Sequence, residues 1–217
     1  MVRAQPSTDT DAAREEILQA AAELFMDLGY PMTSIDAIAE RLGATKGRIY
    51  YYFKSKAAIF FDIQRVAMAR LMADIMPIAS SPLPVDEKLR RMATVHLENL
   101  LNDLAIQKVS VQGLERYQFQ SSGYKYVKEL RELNALRDGY EQIFAEVIDQ
   151  GTREGGFRDM PPRLLTKPFF GTLNWVTVWY RPRKIQDADN NRMIVETLVS
   201  FVMQGIQKES DDDPTSG

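Results

Sequence analysis

The sequence predicts an all-α protein of about nine helices, a small N-terminal three-helix domain followed by a larger helical one. Three observations carry that prediction. Apolar residues recur at i, i+3, i+4 and i+7 in segment after segment, the spacing of one helical face. Gly, Pro and Ser punctuate those segments, at Gly29, Gly43, Pro77, the run SSPLPV over residues 80–85, and Gly151 to Gly156. The stretch TSIDAIAERLGATKGRIYYYFKSK, from Thr33 to Lys56, reads as two short helices joined by a tight turn.

Residues 1–10 are polar, contain Pro6 and are expected to form a disordered arm. The first helix, residues 11–29, turns Ile17, Ala20, Ala21, Leu24, Phe25 and Leu28 inward. Asp11, Glu15 and Glu16 suit its positive N-terminal end. Its expected task is to pack across the next two helices and hold their angle. Ile35, Ile38, Ala39 and Leu42 form the face of the second helix. Thr33 is its expected N-cap, with Asp36 in a capping-box position. Gly43 ends it, since Gly tolerates the left-handed conformation of a helix end. Thr45 caps the third helix, and Ile49 and Phe53 give that helix an apolar side.

A fourth helix is expected over residues 55–78, closed by Pro77, and joins the N-terminal domain to the remainder. A fifth follows over 84–103, then a sixth over 107–119, with a break at Ser121, Ser122 and Gly123. The seventh, 124–152, carries Leu133, Tyr140 and Phe144 in its stripe, with Arg137 standing among them. The eighth spans 162–179, where Pro168 predicts a kink or break. The last spans 189–207, with Met193, Ile194, Leu198, Phe201, Val202 and Ile206 along one face. The domain reading is therefore an arm (1–10), a helix-turn-helix domain (11–56), a helical domain (57–208) and an acidic tail (209–217).

Composition narrows the chemistry. There is no cysteine, which removes disulfides, thiolate metal sites and thiol nucleophiles. His96 is the single histidine, a poor basis for a metal site and most simply a hydrogen-bonded or half-buried residue, with a place in a ligand pocket as the alternative. No Gly-x-Gly-x-x-Gly or phosphate-loop pattern occurs. No catalytic residue, metal or cofactor is therefore expected. No apolar run approaches the ~20 residues of a membrane helix. Neither a signal peptide nor a membrane partner is expected, and the reading is cytoplasmic. The formal net charge of −3 does not argue against nucleic acid, because the placement of charge decides. From Arg41 to Lys56 there are five basic residues and no acidic one.

A short helix, a turn and a second short helix form the unit that lays its second helix in the DNA major groove. Lys and Arg neutralise phosphates, and Tyr offers a hydroxyl to phosphate and an apolar ring to sugar or base methyl. The ordinary alternative is an amphipathic helix pair with a solvated basic face. The residues are more specific than that. Thr33, Ile38, Ala39 and Gly43, followed by Thr-Lys-Gly-x-Ile-Tyr-Tyr-Tyr-Phe-Lys-Ser-Lys from Thr45 to Lys56, resemble the DNA-binding domain of TetR-type transcriptional regulators. The spacing of Gly47, Tyr50, Phe53 and Lys56 is the strongest part. Tyr52 departs from the pattern, since many members carry His there. The resemblance implies a homodimer formed through its last two helices on a palindromic double-stranded DNA operator, acting as a repressor released by a small molecule. It implies DNA contacts from Thr33, Ser34, Thr45, Lys46, Gly47, Arg48, Tyr50, Tyr51, Tyr52 and Lys56.

The run Leu-Asn-Trp-x-x-x-Trp-Tyr-Arg-Pro, Leu173 to Pro182, resembles a subgroup that senses acyl-coenzyme A thioesters. On that reading Arg137, Tyr140, Phe144, Trp175, Trp179 and Arg183 meet the effector, apolar residues on its chain and arginines on its phosphates. Packing of both Trp residues in a core or dimer interface is the alternative. A drug-like or aromatic effector, or a helical interaction module that does not bind DNA, are the rival functions.

Overall fold

The computed structural model describes residues 8–120, 126–182 and 188–208. Among these the chain is helical throughout: α1 (Thr8–Leu28), α2 (Ile35–Arg41), α3 (Lys46–Tyr52), α4 (Lys56–Ala79), α5 (Val85–Asn102), α6 (Leu104–Gln120), α7 (Val127–Arg153), α8 (Pro162–Asn174), α9 (Val176–Trp179) and α10 (Ala188–Ile206). The one pairing of strand type is an isolated bridge between Phe157 and Gln207. Of the expected arm, Thr8 to Thr10 belong instead to α1; its residues 1–7, the break at 121–123, Arg183 and the acidic tail lie outside the described residues.

Two compact units emerge from the packing. One comprises Met1–Ala69 with Asp103–Asn134, the other Arg70–Asn102 with Ala135–Gly217. In the first, α1 packs on α2 and α6. Ile17, Ala21, Ile38, Ile49, Ile59 and Ile63 are fully removed from water there. Each large side chain so buried contributes about 1.5–3 kcal/mol. Phe25, Tyr30 and Phe60 form a ring cluster, with Tyr30 5.2 Å from Phe25 and 5.3 Å from Phe60. This cluster sits where α1 ends and α4 begins, so it fixes the frame in which α2 and α3 are held.

In the second unit α5 packs against α8 and α10. Its core contains His96, Tyr140, Phe144, Phe169 and Phe170, with Phe144 4.8 Å from Phe170 and His96 5.3 Å from it. The turn after α7 is built on Gly151. A Cβ there would lie 2.1 Å from the Phe157 ring, and the Phe157 N–H donates to the Gly151 carbonyl at 3.1 Å.

Pro77 lies two residues before the end of α4 at Ala79, one residue past the expected end, and Pro168 lies inside α8 without ending it. In each case the residue four positions back, Ala73 or Leu164, is exposed, so water can take the carbonyl that proline leaves unbonded. The expected eighth helix is interrupted instead at Trp175, between α8 and α9. Residue 33 is also corrected. Ser34, not Thr33, caps α2, accepting from the Ala37 N–H at 3.0 Å.

Candidate nucleic-acid interface

The interface is built by two short helices whose ends the sequence specifies. Leu42 closes α2, and Gly43 follows at φ +59, a conformation in which a side chain is strained. Thr45 then caps α3, its hydroxyl accepting from the Arg48 N–H at 3.3 Å. Ile49 and Phe53 point into the core. The remaining face of α3 is thereby turned outward. Lys46, Gly47, Arg48, Tyr50 and Tyr51 are exposed, Tyr51 at 79%, and Tyr52 is half-buried with its ring edge-on to Tyr51 at 4.9 Å.

Gly47 has no internal reason to lack a side chain. A Cβ there would meet nothing closer than the Thr45 hydroxyl at 3.8 Å. The space it leaves opens outward, where a base edge or sugar can approach the helix closely. Ser34 and Thr45 use their hydroxyls as caps and remain exposed.

Two expected contacts are reassigned. Thr33 is 1% exposed, and its hydroxyl donates to the carbonyls of Leu24 at 3.2 Å and Gly29 at 3.0 Å. It ties the start of α2 to the end of α1 and cannot reach a phosphate. Lys56 donates to the carbonyls of Thr33 at 2.6 Å, Tyr30 at 2.7 Å and Pro31 at 3.3 Å, and stands 4.4 Å above the Tyr30 ring. An ammonium has three donors, and all three are used on this turn. Desolvation there lowers its pKa from the ordinary lysine value. Lys56 therefore positions the helix pair. Lys54, which the motif carries without a predicted role, is exposed and has no partner among the described residues.

The reading cations are engaged within the protein. Lys46 reaches Asp36 on α2 at 2.9 Å, and the hydrogen bond and charge of that carboxylate raise its pKa. Arg48 reaches Glu16 on α1 at 2.9 Å, and Arg41 reaches Glu23 at 2.9 Å. These pairs are solvent-exposed and only weakly held, so phosphate can replace the carboxylate.

The residues expected for the effector separate. Tyr140 and Phe144 are buried around His96. The His96 ring bonds the Tyr140 hydroxyl through Nδ1 at 2.9 Å and the Asn174 side-chain oxygen through Nε2 at 3.0 Å. Burial pushes His96 down to about 4, so it is neutral near pH 7, a hydrogen-bonded polar group within the aromatic core. Arg137 is half-buried, and its charge acts on Glu141, which already binds Thr166 and Lys167. Trp175 and Trp179 do not join this cluster. They are 61% and 45% exposed on the surface of α8 and α9. Arg181 closes α9 by donating to the carbonyls of Val178 and Tyr180, both at 2.9 Å.

Residues 17–63 match the family described as bacterial regulatory proteins, tetR family. Residues 82–206 match the domain described as tetracyclin repressor-like, C-terminal. The chain is 26% identical over 205 residues to the HTH-type transcriptional repressor KstR2 of Rhodococcus jostii, covering 93% of this chain and 96% of that one. The solved structure of the ketosteroid transcriptional regulator KstR2 of Mycobacterium tuberculosis superposes with a TM-score of 0.77 at 24% identity, covering 96% of this chain and 100% of that one. AibR in complex with isovaleryl coenzyme A and operator DNA superposes with a TM-score of 0.71 at 20% identity, covering 87% and 97%. At these identities the two structural likenesses speak for the fold.

Proposed function

The chain belongs to the TetR family of bacterial regulatory proteins, and from that premise we propose a dimeric, ligand-released transcriptional repressor that reads DNA with α3. The observation that carries this reading is the outward face of α3. Lys46, Arg48, Tyr50 and Tyr51 stand exposed around a Gly47 whose missing side chain serves nothing inside the protein. Lys46 and Arg48 supply charge and base-edge donors. The tyrosines, with Ser34, Thr45 and Lys54, supply phosphate and sugar contacts. Thr33 and Lys56 hold these residues in place.

Dimerisation is supported by the apolar surface of α8 to α10. Leu164, Trp175, Trp179, Met193 and Phe201 are each 45–65% exposed there, an arrangement that marks an interaction surface rather than a monomer's exterior. Two α3 helices that read successive turns of one groove across a two-fold axis lie about 34 Å apart or somewhat more, and so require a palindromic site. The proposed effector is an acyl-coenzyme A thioester. The likeness of Leu173 to Pro182 to the thioester-sensing subgroup supports this, as does the isovaleryl coenzyme A bound by AibR on the same fold.

Selection of duplexes from a random library by the purified protein, followed by titration of the selected site, tests the reading. A palindromic consensus bound by one dimer, released by acyl-coenzyme A and not by the free acid, is the expected result. Recovery of no consensus sinks the regulator. Release by an aromatic or drug-like compound alone sinks the thioester.

A further inference from the structure

The two long cations at the start of α3 are both occupied, and by carboxylates that other helices supply. Arg48 Nη2 lies 2.9 Å from Glu16 Oε2, and Lys46 Nζ lies 2.9 Å from Asp36. Arg41, beside them on α2, is held by Glu23. A carboxylate oxygen offers these donors what a phosphate oxygen offers, a negative acceptor at hydrogen-bond distance. The partners are 59% and 66% exposed, so neither pair is locked. Pairs confined to bracing would be better buried; these lie open on the surface that meets the duplex.

We propose that Glu16 and Asp36 are specificity-determining residues of the DNA interface, stand-ins for phosphate that hold Arg48 and Lys46 until base contacts draw them away. This rests on the DNA-binding reading above. Contact with a generic backbone exchanges one anionic partner for another and leaves Glu16 or Asp36 uncovered beside a polyanion. That exchange gains little, so sequence-independent attraction is muted. At the correct site the same side chains add base-edge hydrogen bonds, which carboxylates cannot imitate. The pairs therefore lower background binding more than operator binding. The formal charge of −3 for the whole chain acts in the same direction.

The test measures fluorescence anisotropy of a labelled random-sequence duplex and of the library-selected duplex against full-length protein over a salt series. The proteins are wild type, Glu16→Gln, Asp36→Asn, Arg48→Ala and the double variant Glu16→Gln/Arg48→Ala. Glu16→Gln is expected to tighten random-duplex binding about 3- to 10-fold and to steepen the slope of log K against log salt by up to about 0.9. The ratio of selected-site to random affinity falls accordingly, and Asp36→Asn shifts it the same way. In the Arg48→Ala background the gain from Glu16→Gln disappears, because no cation remains to be released. Unchanged or weaker random-duplex binding by Glu16→Gln overturns the inference, the weaker result showing a brace. A gain of equal size without Arg48 also overturns it, showing simple charge repulsion. Wild type that binds no duplex at any salt removes the DNA-binding reading and this inference together. Wild type that binds in a salt-dependent way without a Glu16→Gln gain removes the inference alone.

Discussion

Lys56 illustrates how a cation in a DNA-binding motif can be engaged by the fold itself. Its spacing from Gly47 and Phe53 was readable from the sequence, and its cationic type argued for phosphate. The carbonyls of Tyr30, Pro31 and Thr33, well before it in the chain, decide otherwise. Hydrogen bonds to a charged group contribute about 1.5–3 kcal/mol. Lys56→Met is expected to lower unfolding stability by about 2 kcal/mol, read from urea midpoints, while the salt slope of duplex binding stays unchanged. Lys54→Ala should do the reverse, reducing the slope by about 0.9 with the midpoint unmoved. His96 is the other such case. Burial lowers its pKa from 6.5 to about 4 in the folded chain, so the unfolded chain takes up its proton first. Its contribution to stability is whole above about pH 6.5 and is lost as pH falls toward 4, about 3 kcal/mol in all. Urea midpoints across that window should fall more steeply for wild type than for His96→Leu, which begins from a lower plateau because Tyr140 and Asn174 lose their partner. Equal slopes would contradict the burial argument.

Helices and their ends divide along similar lines. The turn between α2 and α3 was set by local chemistry: Gly43 after α2, where φ is positive, and the Thr45 hydroxyl before the first turn of α3. Local chemistry failed at Pro168, because whether a freed carbonyl matters depends on its access to water, a tertiary property. It failed again at Thr33, where sequence alone could not separate two adjacent hydroxyl residues, of which only Ser34 faces the helix end. Two glycines give a paired prediction. Gly47→Ala meets open space and removes backbone freedom, so unfolding stability should hold or rise, by about 0.5–1 kcal/mol, while duplex affinity falls. Gly151→Ala drives a methyl into the Phe157 ring, so it should cost about 2 kcal/mol, partly recovered by Phe157→Leu. Melting curves and duplex titrations of the variants distinguish the two sites.

For the whole molecule, the exposed faces carry the consequences. Phe201 is 65% exposed on α10 and Trp175 is 61% exposed after α8. A glutamate at a buried dimer seam leaves an unpaired charge, so Phe201→Glu should shift sedimentation from dimer to monomer and abolish binding to the palindromic site at submicromolar protein. A dimer that survives this change would place the interface elsewhere. Two aromatics four apart on one helix look alike in a cavity and in an interface, so the sequence leaves both readings of Trp175 and Trp179 open. Periodicity gives the direction of a side chain relative to its own helix and says nothing of what lies opposite. That same limit separates the two sources of knowledge about this protein. The sequence by itself determined the helical class, the helix-turn-helix pair, the Gly43–Thr45 turn within it and its outward cationic, tyrosine-rich face, since each follows from neighbours within a few residues. Only the tertiary structure decided which cations are free, which are held by Glu16, Asp36 or backbone carbonyls, and which aromatics are inside, because those outcomes depend on atoms distant in the chain and on the water they exclude.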